Sequence, residues 1–392
     1  MIFLGACGII CEYDPFHTGH AYQISEVKKL LGSEVVCAMS GSFTQRACPS
    51  CMDKEKRASN AVKNGADVVL EIPFPFSSLS ANGFAKAGVT ILANSAMCSH
   101  IAFGSESADL ALLSETAKIL SDGGFEKKLR AFQKSNPSLS YARARCILIS
   151  DLYGEKYARL LEAPNDILAV EYLRANLELG SPLIPVAIKR TTQRTGRNDR
   201  FASSSYIRNA VLQNKSGKII SEMPCENVSD NVNEISQFLP YEVSLEDFYT
   251  DNSLFEKIMQ VCIMTKNPKE LEGLAEIPRG SGYALVKNAY ECETFSEFLK
   301  MLSTKSYTNA KIRRMVLFGF AGVGANFLKD APLYTQLLAY SDKGRALLAK
   351  TRKNRKIIVA SKISNIKHSQ GAFCQYTQAR RMEEILKKCR SK

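Results

Sequence analysis

The stretch GIICEYDPFHTGHAYQI, residues 8–24, passes from an apolar run through a polar, proline-marked segment into a helical pattern. His17 and His20 stand at i and i+3, so they share one face near the amino end of that helix. There the unpaired N–H groups and the helix dipole already favour an anion. Gly19 lacks a Cβ and would let a phosphate approach the backbone closely. Imidazole donors aimed at a triphosphate would stabilise the charge that grows on its oxygens during attack at the α-phosphate. The open alternatives are two surface histidines at a helix start and a metal-binding pair, although spacing fixes no third ligand.

Outward from this stretch, apolar runs alternate with amphipathic ones. Ala6 to Ile10 precedes a helix-like Gly19 to Leu31; Val35 to Met39 precedes Lys54 to Lys63; Val68 to Ile72 precedes Asn82 to Asn94, and Ile101 to Phe103 follows. This is the signature of βαβ units, so the fold class is α/β with a parallel sheet, whose ligand sits beyond the carboxyl ends of the strands. Residues 107–179 read mainly as helix and Leu183 to Ile188 as a further strand. The polar segment from Lys215 to Val232 marks a domain boundary, giving domains 1–215 and 216–392. In the second, Glu246 to Met264, Thr294 to Leu302, Asn309 to Leu328 and Phe373 to Cys389 read as helices.

At 392 residues and 45% hydrophobic content the chain can bury a sizeable core. No run is long and apolar enough for a membrane helix, and the start lacks the pattern of a signal peptide, so a cytoplasmic protein with no membrane partner is expected. The twelve cysteines are scattered and are expected to be reduced; Cys48 and Cys51 form a close pair open to reading as a metal half-site or a redox pair, and no metal ligand set is assigned. The formal charge is +13, and residues 341–392 hold 15 Lys+Arg against 3 Asp+Glu, a net of +12. A polyanion is the natural partner for such a surface, and a solvated tail is the alternative.

A second motif, Ser203-Ser204-Ser205-Tyr206-Ile207-Arg208, follows a strand region and opens a helix. Serines there are ordinary caps. The ordered set GIICEYDPFHTGHAYQI, MSGSFTQR, GADVVLEIP, FGSES, APNDILAVEYLRA, IPVAIKR, FASSSYIR and KSYTNAKIRRMVL resembles the tRNA(Met) cytidine acetate ligases, a family of HxGH nucleotidyltransferases. The resemblance implies a Rossmann-like nucleotidyltransferase domain followed by a mainly helical, basic tRNA-binding domain. It implies an enzyme that uses ATP to activate acetate as acetyl-adenylate and acetylates the wobble cytidine of elongator tRNA(Met) to N4-acetylcytidine. Carried over by position, the ATP site comprises Gly8, Ile9, Glu12, Tyr13, Asp14, Phe16, His17, Gly19 and His20, with Gly104, Asn165 and Arg190, and with Ser203, Ser205 and Arg208 around the β- and γ-phosphates.

In the expected mechanism His17 and His20 stabilise the transition state, Arg46 holds acetate, and Mg²⁺ bridges the phosphates. Gln45, Arg46 and Lys54 offer donors to the anionic substrate. Arg313, Arg314, Lys353, Arg355, Lys356, Arg380, Arg381 and Lys387 are assigned by charge to the tRNA backbone. The chain departs from the family pattern at Asp14, Ala47, Cys48, Ser50 and Asp166, where EYNPFH, QRGEPA and PNN are usual. Two other readings stay open: a nucleotidyltransferase for a small cofactor precursor, and an RNA-binding homologue without catalysis.

Overall fold

The computed structural model describes residues 5–190, 201–216, 235–242, 244–304 and 307–390; most of the polar segment chosen as the domain boundary lies outside them. A single seven-stranded sheet runs in the order β5-β4-β1-β2-β3-β6-β7. Its strands are β1 (Ala6–Cys11), β2 (Val35–Ser40), β3 (Val68–Ile72), β4 (Cys98–Ser105), β5 (Ile184–Lys189), β6 (Tyr334–Tyr340) and β7 (Ile358–Ala360). Neighbours are parallel except β3 and β6. The chain lays β1, β2 and β3 side by side, then crosses back to place β4 on the other side of β1. That crossover makes a topological switch point between β1 and β4, where an open α/β sheet leaves a crevice.

The expected βαβ elements are present because the central strands are buried on both faces and so read as continuous apolar runs. Ala6, Ile10, Val36, Ala38, Val68 and Leu70 face one core, and Cys7, Ile9, Val35, Cys37 and Val69 face the other. The helices Thr18–Leu31 and Lys54–Lys63 cover the second face through Ile24, Val27, Ala58 and Ala61. The Ala81–Asn94 and Pro164–Glu178 helices cover the first, and that core continues without a break into Phe255, Phe298 and Phe318 of the second half. Each buried aliphatic or aromatic side chain contributes about 1.5–3 kcal/mol.

Beyond residue 216 the chain is mainly helical, as expected, with differences in detail. The helix begun at Asn309 ends at Ala321, where Gly322 takes φ 68°. The helix expected from Glu246 starts only at Ser253. The sequence reading contains neither β6 nor β7. β6 pairs antiparallel with β3, Val68 opposite Tyr340, and Asp67 bolts the join: it accepts from the Ser341 hydroxyl (3.0 Å) and the Val35 amide (3.0 Å) and pairs with Lys28 (2.9 Å).

The terminal helix Gln370–Arg390 is anchored in the interior by a charged cluster. Lys54 Nζ lies 2.9–3.0 Å from both oxygens of Glu71 and also bonds Glu383, all three side chains being buried. One ammonium between two carboxylates leaves a net negative charge in a low dielectric. Burial therefore pushes the Glu71 carboxyl up to about 7, against the pull of Lys54. A carboxyl raised on folding contributes stability that is complete below its unfolded range near 4.5 and is lost as pH rises through 7. The urea midpoint of the wild type should accordingly fall between about pH 4.5 and pH 7 relative to that of Glu71→Gln. Parallel profiles for the two proteins would show that Glu71 takes up no proton on folding.

Candidate functional site

A cleft of about 970 Å³ opens at the β1/β4 switch point. Its floor is the end of β1 and the residues after it, Ile10 to Asp14; its walls include Gly104 at the end of β4, Asn165, Arg190 and the start of the Ser204–Ser216 helix.

His17 is the N-cap of the Thr18–Leu31 helix, with extended backbone. Its Nδ1 accepts from the Gly19 amide (3.0 Å), and His20 Nδ1 accepts from the His17 amide (3.3 Å), a reciprocal capping box made of two imidazoles. The rings stack with centroids 3.6 Å apart. The space beside Gly19 is taken by the His17 ring, 2.9 Å from where a Cβ would stand, so the glycine makes room for imidazole rather than for phosphate. With each Nδ1 committed to a backbone donor, the neutral ring carries its proton on Nε2. Burial, reinforced by Arg190 and Arg208, drives the His17 pKa down to about 3, and burial with His17 beside it holds His20 well below its usual range. Both are neutral N–H donors near pH 7.

Asp14 follows β1 and is buried. Its carboxylate accepts from the Cys51 amide (2.7 Å) and lies 3.6 Å from both Arg46 and Arg208. Burial alone would raise its pKa; the guanidiniums of Arg208, Arg57 and Arg46 outweigh burial and hold it below the usual carboxylate range. Arg46 also pairs with Glu12 (3.2 Å), whose other oxygen accepts from the Gln45 amide (2.7 Å). Arg46 thus faces two carboxylates, which weakens its fit to the expected role of acetate holder. Arg208 binds the Asp14 carbonyl and the Ser205 hydroxyl (3.0 Å). Ser203 accepts from the Tyr206 amide (3.2 Å) and so serves as a helix cap.

On the opposite wall, Arg190 reaches Asn165 (3.4 Å) and packs over Gly104. The Pro164–Glu178 helix start is clasped by Glu106, which accepts from Asn165 Nδ2 (2.6 Å) and the Asp166 amide (2.9 Å). Asp166, a departure from the family pattern, returns the bond by accepting from the Ser107 amide (3.1 Å) and the Ser105 hydroxyl. Its carboxylate therefore has a local structural task.

Several sequence-assigned residues lie elsewhere. Gly8 sits mid-strand under Leu92, and Ile9 and Phe16 are core residues. Lys54 is occupied by Glu71 and Glu383 and offers nothing to a substrate. Arg314 is buried, donating to the Gln45 carbonyl (3.3 Å) and pairing with Glu276 (3.3 Å). Arg355 binds the Leu348 carbonyl, and Arg380 pairs with Glu383 and Glu384. Lys353, Lys356, Arg381 and Lys387 are exposed. Cys48 and Cys51 are free, with no group of three or more potential ligands to hold a metal among the described residues.

Sequence reasoning missed Arg57. It is fully buried and donates to the carbonyls of Met52 (3.1 Å), Glu12 (2.6 Å), Ser40 (3.1 Å) and Gly41, tying together the ends of β1 and β2. Its place in a KEKR segment reads as a solvated helix face, so only the fold exposes its role.

The chain matches the HIGH nucleotidyl transferase family over residues 4–392. It is 31% identical to a tRNA(Met) cytidine acetate ligase of Clostridium kluyveri, covering 91% of this chain and 89% of that protein. It is 30% identical to one of Lysinibacillus sphaericus, covering 92% and 89%. Among solved structures it resembles Thermotoga maritima TmcAL bound with alpha-thio ATP, with a TM-score of 0.85 at 26% identity over 98% of this chain and 95% of that one. The apo form of the same protein gives a TM-score of 0.86.

Because Asp14 neutralises two cleft guanidiniums, Asp14→Asn should keep the Cys51 bond and free positive charge for a triphosphate. Calorimetric titration should show ATP bound roughly three- to ten-fold more tightly, about 1 kcal/mol. Unchanged or weaker binding by a well-folded variant would refute the neutralisation.

Proposed function

We propose a reaction for a chain that belongs to the HIGH nucleotidyl transferase family and, within it, to the tRNA(Met) cytidine acetate ligases. It is an ATP-dependent ligase that activates acetate and transfers the acetyl group to the wobble cytidine of elongator tRNA(Met). The observation that carries this reading is the meeting, in one cleft at the switch point, of two neutral imidazoles with the guanidiniums of Arg46, Arg190, Arg208 and Arg313.

A carboxylate oxygen of acetate attacks the α-phosphorus of ATP, the bond to the bridging oxygen breaks, and pyrophosphate leaves. Nε2–H of His17 and His20 donate to the oxygens on which charge grows, without a covalent bond to the enzyme. Arg208, held by Asp14 and Ser205, faces the β- and γ-phosphates; Arg190, with Asn165 and Gly104, holds the nucleotide from the other wall. The N4 amine of cytidine then attacks the acyl carbon, the mixed anhydride opens, AMP leaves, and the amine proton passes to phosphate or water. An anticodon loop already presents its bases unstacked.

Mg²⁺ is expected with the triphosphate, where it would neutralise phosphate charge. Glu12 and Asp14 are engaged by arginines, so this chain offers it no dedicated ligand set among the described residues, and phosphate oxygens would hold it. Residues 1–215 carry most of the nucleotide site, to which Arg313 is added from the second half, and within 216–392 the exposed Lys353, Lys356, Arg381 and Lys387 offer charge to the RNA phosphate backbone. The substrates, ATP and tRNA, are cytoplasmic, and that is the compartment proposed for the reaction. Separately, no described helix is long and apolar enough to cross a membrane.

The test is pyrophosphate release from ATP with acetate, propionate or no acid, each with and without elongator tRNA(Met), scored with acetylated cytidine by mass spectrometry. Acetate-dependent release coupled to acetylcytidine is expected; silence in every condition with tRNA still bound would identify an RNA-binding protein without catalysis. His17→Asn, which can keep the cap to Gly19 but loses the Nε2 donor, should lower kcat roughly 10²–10³-fold with little change in the KM for ATP.

A further inference from the structure

Among the described residues lining the cleft, Arg313 is the one contributed from beyond residue 216. It stands on the Asn309–Ala321 helix, whose next residue, Arg314, is fixed by the Gln45 carbonyl and Glu276. The Arg313 guanidinium is itself preset: it pairs with Glu256 (3.1 Å), lies over the Phe295 ring (5.6 Å from the centroid), and has Cys48 beside it.

The other cleft arginines are already engaged within the site. Arg208 and Arg46 share Asp14, Arg46 has Glu12 as a second counter-charge, and Arg190 lies with Asn165 and Gly104. Arg313 approaches from the opposite half. A guanidinium has five N–H donors in a planar fork that matches a carboxylate, and the bond to Glu256 uses one edge. Its position inside the cleft also separates it from the exposed Lys353, Lys356, Arg381 and Lys387.

We propose that Arg313 binds the carboxylate of the acyl donor, a role that rests on the acetate-activating reading above and replaces the tRNA-backbone role expected from charge alone. One carboxylate oxygen attacks the α-phosphorus as the bond to pyrophosphate breaks. The other stays on Arg313 and becomes the carbonyl oxygen of the acyl-adenylate, so the same guanidinium later faces the oxygen that gains charge when the cytidine amine attacks.

The experiment pairs turnover with binding. In acetate-dependent ATP–pyrophosphate exchange, Arg313→Gln should raise the KM for acetate at least ten-fold, leave the KM for ATP within two-fold and keep the melting temperature; Arg313→Lys should fall between. Independently, line broadening of ¹³C-acetate by the protein loaded with a non-hydrolysable ATP analogue should be present in the wild type and lost in Arg313→Gln. An unchanged acetate KM with a raised KM for tRNA would overturn the proposal in favour of an RNA contact. A parallel rise of both small-substrate KM values with a falling melting temperature would reduce Arg313 to a packing residue. Wild-type protein that broadens acetate but exchanges no pyrophosphate would sink the reaction assigned above while leaving the binding role standing, and the absence of broadening in the wild type would sink the binding role.

Discussion

The site depends on one buried carboxylate set among guanidiniums. Asp14 sits at the end of the first strand, buried, with Arg46 and Arg208 at 3.6 Å and the field of Arg57 behind it. A buried carboxylate without counter-charge is untenable, and the guanidiniums around Asp14 hold it ionised. Arg57 adds directional bonds to four carbonyls at the ends of β1 and β2. These contacts fix the place where the sheet's switch point becomes a cleft of defined shape.

The segment from Gly41 to Cys51 transmits that order to the second half. On its inner side Glu12 takes the Gln45 amide and Asp14 the Cys51 amide. On its outer side Arg314 takes the Gln45 carbonyl, Arg390 the Ser50 carbonyl (2.6 Å), and the Tyr249 amide donates to the Cys51 carbonyl (2.7 Å). Phe43 packs between Phe74 and Phe255. The second half therefore braces the segment that carries Arg46, as well as carrying exposed basic side chains.

Legibility in the sequence followed the physics of each element. Strands β1 to β4 announced themselves because burial on both faces leaves little freedom in residue choice, and the histidine motif was readable because its spacing and its place after a strand coincide. β6 was not: YTQLLAY is only partly buried and mixes polar with apolar residues, and three-residue β7 is below any periodic signal. Charge was the poorest guide. Arg57, Lys54, Arg314 and Glu383 look solvent-facing in sequence and are interior, since the carbonyls that receive Arg57 and the opposite charges that pair with the others come together only in the fold. Counting lysines and arginines located the basic part of the chain but could not separate Arg314, which braces a loop, from Lys353, which meets solvent.

The antiparallel join between β3 and β6 has a consequence for how the protein is made. β3 is buried on both faces, and its outer edge is closed by a strand that lies some 265 residues further along the chain. At ribosomal speeds that interval lasts on the order of tens of seconds, long compared with helix or hairpin formation. During it the nascent chain carries an open, apolar strand edge of the kind that recruits other chains. Synthesis of this protein thus leaves an interval in which the partner that closes this edge has not yet been made.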